Sequence, residues 1–171
     1  MGDVTTKERD HADLREKNMP QGQRGGSGSP WDVEVDVYLE SVGPPATYRI
    51  ESYLQPQGNG DLVFENHGRP GFNVRFCLHD ETGGDYKFPS PPNLRQAIWS
   101  QRGTACPTSG VWDVFDAKQV KDQGMTLVAY NANPSPAQGI FQYTLNVTND
   151  NGSTYLAIDP GGNNMNGNQF Q

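Results

Sequence analysis

The sequence predicts an all-β protein: an antiparallel, immunoglobulin-like β-sandwich of seven to eight strands, preceded by a disordered or docking N-terminal arm. Three observations predict it. From Trp31 onward, apolar residues recur at every second position in short runs. Glycine and proline, at 20 and 13 residues, punctuate those runs. No stretch carries the apolar stripe of an amphipathic helix of three turns. Short strands spaced by turns build two stacked sheets. A parallel α/β sheet would need crossover helices, for which the sequence has no candidates.

The elements follow in order. WDVEVDVYLE sets Val33, Val35, Val37 and Leu39 against Asp32, Glu34, Asp36, Tyr38 and Glu40, the pattern of a half-buried strand. Gly43-Pro44-Pro45 breaks it, ATYRIESYL resumes it, and PQGNGD reads as a turn centred on Asn59-Gly60. DLVFEN and FNVRFCLHD are the next two strands, separated by HGRPG. Residues 81–110 form a long irregular region holding Pro89, Pro91, Pro92 and Pro107, with at most one helical turn near Asn93 to Ser100. VWDVF and MTLVAYN read as strands. GIFQYTLNVT and STYLAID flank NDNG, where Asn151-Gly152 suits a tight hairpin turn. The expected core is Val35, Val37, Leu39, Ile50, Phe72, Val74, Phe76, Leu78, Leu127, Val128, Tyr143, Leu145, Tyr155 and Ile158. Phe88, Ile98 and Trp99 are expected to pack onto its edge.

Residues 1–30 have a different character. They carry almost no apolar side chains, and PQGQRGGSGSP is a Gly/Ser/Pro linker that cannot bury surface. We therefore divide the chain into an arm, 1–30, and a sandwich domain, 31–171. Lys7, Arg9, Arg15, Lys17 and Arg24 balance Asp3, Glu8, Asp10, Asp13 and Glu16, so the net charge of -7 falls on the domain. An acidic domain without a basic cluster repels phosphate backbones and anionic bilayers, which argues against nucleic-acid and membrane partners. The N-terminus lacks the apolar segment of a secretory signal, and no window reaches the length that spans a bilayer, so a cytoplasmic location is expected. Met1-Gly2 with Thr6 fits the myristoylation pattern, but no basic cluster follows to supply a second anchor.

The residues that could carry chemistry are few. Cys77 and His79 lie two apart on one strand face, about 7 Å from each other, within reach of a shared ion. Cys106, His67, Asp80 and Glu81 are the scattered candidates to complete a metal site, and Cys106 a thiol site. No CxxC or HxxxH spacing supports zinc, and the alternative is the polar exterior of a strand. A Cys77–Cys106 disulfide is the other use of the pair, disfavoured in a reducing compartment. Trp31, Trp99, Trp112 and Tyr130 could stack on sugar rings, as in a carbohydrate or small-ligand binding module. Glu34 and Asp36 make an acidic ridge that suits solubility and edge protection better than acid–base work. No phosphate-binding glycine motif is present. No cofactor is expected.

STYLAIDP followed by GGNNMNG, after FQYTLNVT, resembles the terminal strand and Asp-Pro…Asn signature of small bacterial β-sandwich proteins of the inclusion-body (PixA-type) and related DP-containing family. PGFNVRFCLHD and LVAYNAN are compatible with that family's middle strands. The resemblance implies an immunoglobulin-like sandwich in the cytoplasm, self-association in some members and no established catalysis. It assigns Asp159, Pro160 and Asn164 to the signature, where we expect a structural turn with Asp159 accepting backbone N–H groups. The resulting expectation is a non-enzymatic protein acting by arm-mediated self-association or protein binding, with a homo-oligomer or another protein as partner. A ligand-binding module and a Cys77/His79/Cys106 metal or thiol site are the alternatives.

Overall fold

The computed structural model describes residues 28–55, 61–65, 68–107, 109–134 and 139–165. The arm up to residue 27, the Asn59-Gly60 turn and His67 lie outside the described residues. Among the described residues, ten strands form two sheets: β1 (Trp31–Ser41), β2 (Thr47–Glu51), β3 (Leu62–Glu65), β4 (Phe72–Asp80), β5 (Ile98–Arg102), β6 (Phe115–Lys121), β7 (Thr126–Asn131), β8 (Gly139–Val147), β9 (Leu156–Ile158) and β10 (Gly161–Met165). The first sheet runs β2-β1-β4-β7-β6. The second runs β3-β10-β8-β5, with β9 pairing on β8. The all-β sandwich read from the sequence is the architecture observed.

The two sheets stack through their inward faces. Val33, Val35, Val37 and Leu39 of β1 are fully buried, as are Val74 and Phe76 of β4, and they meet Phe141, Tyr143 and Leu145 of β8. Aromatic rings lock the layers together. Phe76 lies 5.8 Å from Tyr143, and Phe115 lies 5.6 Å from Phe141 at 75°. An edge-to-face pair such as Phe115–Phe141 adds about 0.5–1.5 kcal/mol beyond area burial.

Pairing is not purely antiparallel. β1 runs parallel to β4, and β3 parallel to β10. A parallel pair needs a crossover, and here a strand of the opposite sheet supplies it: the chain leaves β2, passes through β3 in the second sheet and returns as β4. No helix is required, so the lack of helices did not exclude parallel neighbours.

Other expectations shift for local reasons. Leu127 and Ala129 point inward, so strict alternation turns Val128 outward beside Arg75. Tyr155 is half-buried ahead of β9. Phe88 and Ile98 are buried as expected, whereas Trp99, next along β5, faces out and is half-buried. VWDVF is mostly not a strand: Trp112 makes a lone bridge to Ser100, and Ser100 Oγ accepts the Val114 and Phe115 amides at 3.0 and 2.9 Å. The strand starts only at Phe115. Asn151-Gly152 has left-handed φ values of 57° and 88°, but β8 and β9 pair only from Val147 and Leu156 outward, so a folded loop replaces the tight hairpin.

The Asp159-Pro160…Asn164 segment is not a simple turn. Asn164 sits in β10, fully buried. The Asp159 carboxylate accepts the Thr144 hydroxyl, its carbonyl accepts the Tyr48 hydroxyl at 2.9 Å, and the Pro160 carbonyl accepts the Tyr143 amide at 3.0 Å. Gly161 and Gly162 permit this central strand, since a Cβ on Gly162 would strike the Phe141 ring and stand 3.0 Å from the Leu62 carbonyl.

Candidate functional site

Cys77 and His79 lie on the outer face of the first sheet, where cross-strand register assembles rows of side chains. Arg49, Tyr38 and His79 form one row. The Arg49 guanidinium stands 4.1 Å over the Tyr38 ring, and Tyr38 stacks on His79 at 4.4 Å and 12°. His79 Nε2 also meets Asp36 Oδ1 at 2.9 Å. Arg49 bonds Glu40 and Glu51, both at 3.1 Å, and Arg75 bonds Glu34 at 3.1 Å. Aromatic and charged side chains are thus ordered in advance on a polar face.

The chemistry available to Cys77 follows from its place there. Partial burial, then the carboxylates of Glu34 and Asp36, push its thiol up, while the Thr126 hydroxyl and Arg75 only partly oppose this. It stays protonated at neutral pH and is a poor nucleophile. Cys106 is exposed in the loop after β5, and both cysteines are free thiols. Among the described residues, no three His, Cys, Asp or Glu side chains converge in a metal-binding group.

The four aromatic candidates have different immediate partners. Trp31 begins β1 with the Arg69 guanidinium 3.7 Å over its ring. Trp99 donates to Gln96 Oε1 at 3.1 Å from β5. Trp112 donates to the Arg95 carbonyl at 2.9 Å, with that arginine 3.8 Å over its face. Tyr130, on the outer face of the first sheet, donates to the Pro70 carbonyl. Ring faces or polar tips are already engaged by the protein's own groups.

One site had no counterpart in the sequence reading. At one end of the sandwich, a cleft of about 710 Å³ opens between the Pro-rich loop after β4, the β6–β7 connection and the loop after β8. These loops are laced together: Lys87 and Thr148 exchange both backbone hydrogen bonds, at 2.9 and 2.8 Å, and the Phe88 amide donates to Gly124 at 2.9 Å. Asp150 ties its own loop by accepting the Thr154 amide at 3.0 Å and the Thr154 and Thr148 hydroxyls at 2.6 and 2.8 Å. Asp85, Gln123 and Asn151 on its walls have φ of 57°, 58° and 57°. Left-handed non-glycine residues are uncommon, although Asp and Asn adopt this region more readily than Gln. Only the Asn-Gly dipeptide signalled any of this in advance.

No protein-family model matches the chain, and no curated protein matches it significantly. No helix among the described residues is long and apolar enough to cross a membrane.

Proposed function

We propose that this is a non-enzymatic binding protein that works by self-association, the arm of one copy docking on the outer face of the first sheet of another. The observation that carries the reading is the Arg49–Tyr38–His79 stack with its flanking ion pairs. Tyrosine and arginine dominate protein interfaces, and side chains fixed beforehand lose little entropy on binding.

Two further points support a face over an edge. β6, an outer strand of this sheet, is interrupted by a bulge between Ala117 and Gln119 and bears Lys118 and Lys121. The opposite edge, β2, bears Arg49 and Glu51. Both edges discourage strand addition. The arm joins the sheet at a fixed point, where Arg69 Nε holds the Ser29 carbonyl at 2.9 Å and the Trp31 amide donates to Gly71 at 2.8 Å. The resemblance to self-associating sandwich proteins points the same way.

Light scattering on the full chain and on a chain lacking residues 1–27 tests this. The full chain is expected as an oligomer, and the truncation and Arg49→Glu each as a monomer. A full-length monomer, or an oligomer unmoved by both changes, overturns it.

A further inference from the structure

We propose that the cleft between the Pro-rich loop, the β6–β7 connection and the loop after β8 is a binding site for an anionic saccharide, a sugar carrying a carboxylate or a phosphate. This inference is independent of the sheet-face reading, because none of the residues of the Arg49–Tyr38–His79 stack lines the cleft.

Size and walls select the class. At about 710 Å³ the space is that of a small-molecule site and is far larger than a bound water requires. Its accessible apolar lining is Val120 and the rings of Pro91 and Pro92, with Phe88 and Pro89 buried beneath them. Those are C–H surfaces suited to the apolar face of a sugar ring. They offer no flat aromatic plane exposed for a nucleobase, because Phe88 is buried at 2% exposure.

The polar lining selects the rest. Asn93, Asn149, Asn151 and Ser90 present amide and hydroxyl groups, which can both donate to and accept from sugar hydroxyls. Asn149 spends one donor on the Gly84 carbonyl at 2.9 Å and keeps its oxygen available. Lys87 and Lys121 also line the cleft, and neither has a carboxylate partner among the described residues. Two unpaired ammonium groups stand out on a chain with net charge -7. Ammonium groups act as point charges toward a single oxyanion, whereas a guanidinium would grip it in a fork. Asp85 is the one carboxylate on the walls. With Lys87 it also borders a neighbouring depression lined by His79, Asp80 and Glu81, so Lys121 is the lysine of the cleft that does not border those carboxylates.

Preorganisation supports a site over an accidental gap. Three loops that could move separately are joined by the backbone bonds through Lys87, Thr148, Phe88 and Gly124. A side chain on Gly124 would meet Lys87 Cβ at 2.8 Å, so the close approach itself depends on that glycine. Holding Asp85, Gln123 and Asn151 in left-handed conformations costs stability that the surrounding bonds must offset.

The test is a titration of the full chain, followed by amide chemical shifts, with glucuronate, glucose 6-phosphate and neutral glucose. Saturable shifts confined to residues 87–93, 120–124 and 148–151 are expected with one or both anions. The neutral sugar should bind about tenfold more weakly, as loss of one charged contact implies. Whichever anion binds tighter identifies the charged group. Lys121→Glu should weaken anion binding at least about tenfold, while Lys118→Glu, on the same strand but outside the cleft, should leave it unchanged. Absence of saturable shifts with all three sugars, shifts located elsewhere, equal binding of glucose, or equal effects of the two lysine changes would each overturn the proposal.

Discussion

Asn131 of β7 and Asn164 of β10 exchange two side-chain hydrogen bonds, at 2.7 and 3.1 Å, across the space between the two sheets, both buried to within 1%. Asn131 Oδ1 also accepts the Asn133 amide at 3.0 Å, and Asn133 Nδ2 donates to the carbonyls of Phe64 and Met165, each at 2.9 Å. A polar clamp thus stitches β3, β7 and β10 inside an otherwise apolar interior. Removing one partner strands the other away from water. Asn131→Ala is expected to cost about 1–3 kcal/mol in urea unfolding. In a double-mutant cycle with Asn164→Ala, the second change should cost much less than it does alone. Additive losses would show that the two amides act separately.

Tyr143 is the largest fully buried side chain, and its hydroxyl has no hydrogen-bond partner among the described residues. Burial pushes its ionisation well above the ordinary tyrosine value, with minor help from Tyr48 and Asp61. An unsatisfied buried hydroxyl is a cost of about 1–3 kcal/mol. Tyr143→Phe keeps the ring contacts with Phe76, Phe115 and Phe141. It is therefore expected to raise the unfolding midpoint by roughly 1 kcal/mol equivalent. A marked loss of stability would mean that the hydroxyl has a partner in solution.

The two thiols are expected to differ in rate. At neutral pH a maleimide reagent should modify exposed Cys106 quickly and Cys77 slowly, because Cys77 is partly buried and its thiolate is disfavoured by Glu34 and Asp36. Cys106→Ser should abolish the fast phase and leave the slow one. A fast phase that survives in Cys106→Ser would show Cys77 to be activated.

Acid should loosen the loop that borders the cleft. Hydrogen bonds from Thr154 and Thr148 hold the Asp150 carboxyl at about 2, against an ordinary 3.8. A carboxyl depressed by folding stabilises the folded state above its unfolded value and loses that contribution as pH falls through its folded one. Asp80 adds in the same direction: burial raises it, but the Thr82 hydroxyl and the Tyr86 and Thr82 amides outweigh that and lower it. Protection of the amides of residues 148–154, taken relative to their intrinsic exchange rate at each pH, should therefore fall as pH drops from about 4 toward 2. Asp150→Asn should be less stable than the parent at neutral pH and should converge with it in strong acid. A constant difference at every pH would remove Asp150 as the cause.

Much of the sandwich was legible because period-two alternation is a local signal. β1 and β4 could be read residue by residue, and Val33 to Leu39 and Phe72 to Leu78 are buried where alternation put them. β6, with the sequence FDAKQVK, was not legible: it is an outer strand whose bulge breaks the alternation, leaving only Phe115 and Ala117 buried. β10 was hidden for the opposite reason, since GGNNM has the composition of a loop. Its glycines and buried Asn164 make sense only beside Phe141, Leu62 and Asn131, which are distant in sequence. The Cys77–His79 face was readable as a strand exterior, but its pairing with Asp36 and Tyr38 depended on a parallel register that no short stretch encodes. The cleft needed three remote loops to meet, and no single one of them announces it.

The position of β10 has a consequence for how the molecule comes into being. Tenth in chain order, it lies between β3 and β8 and, among the described residues, is the one strand that pairs with β3. Until Met165 has emerged from the ribosome, Leu62 and Phe64 lack the strand that joins β3 to the second sheet, although the Val63 amide already reaches the Leu54 carbonyl at 2.8 Å. The nascent chain must therefore wait with a hydrophobic segment uncovered. Closure that depends on so distant a pairing is slow and leaves time for chaperones to engage.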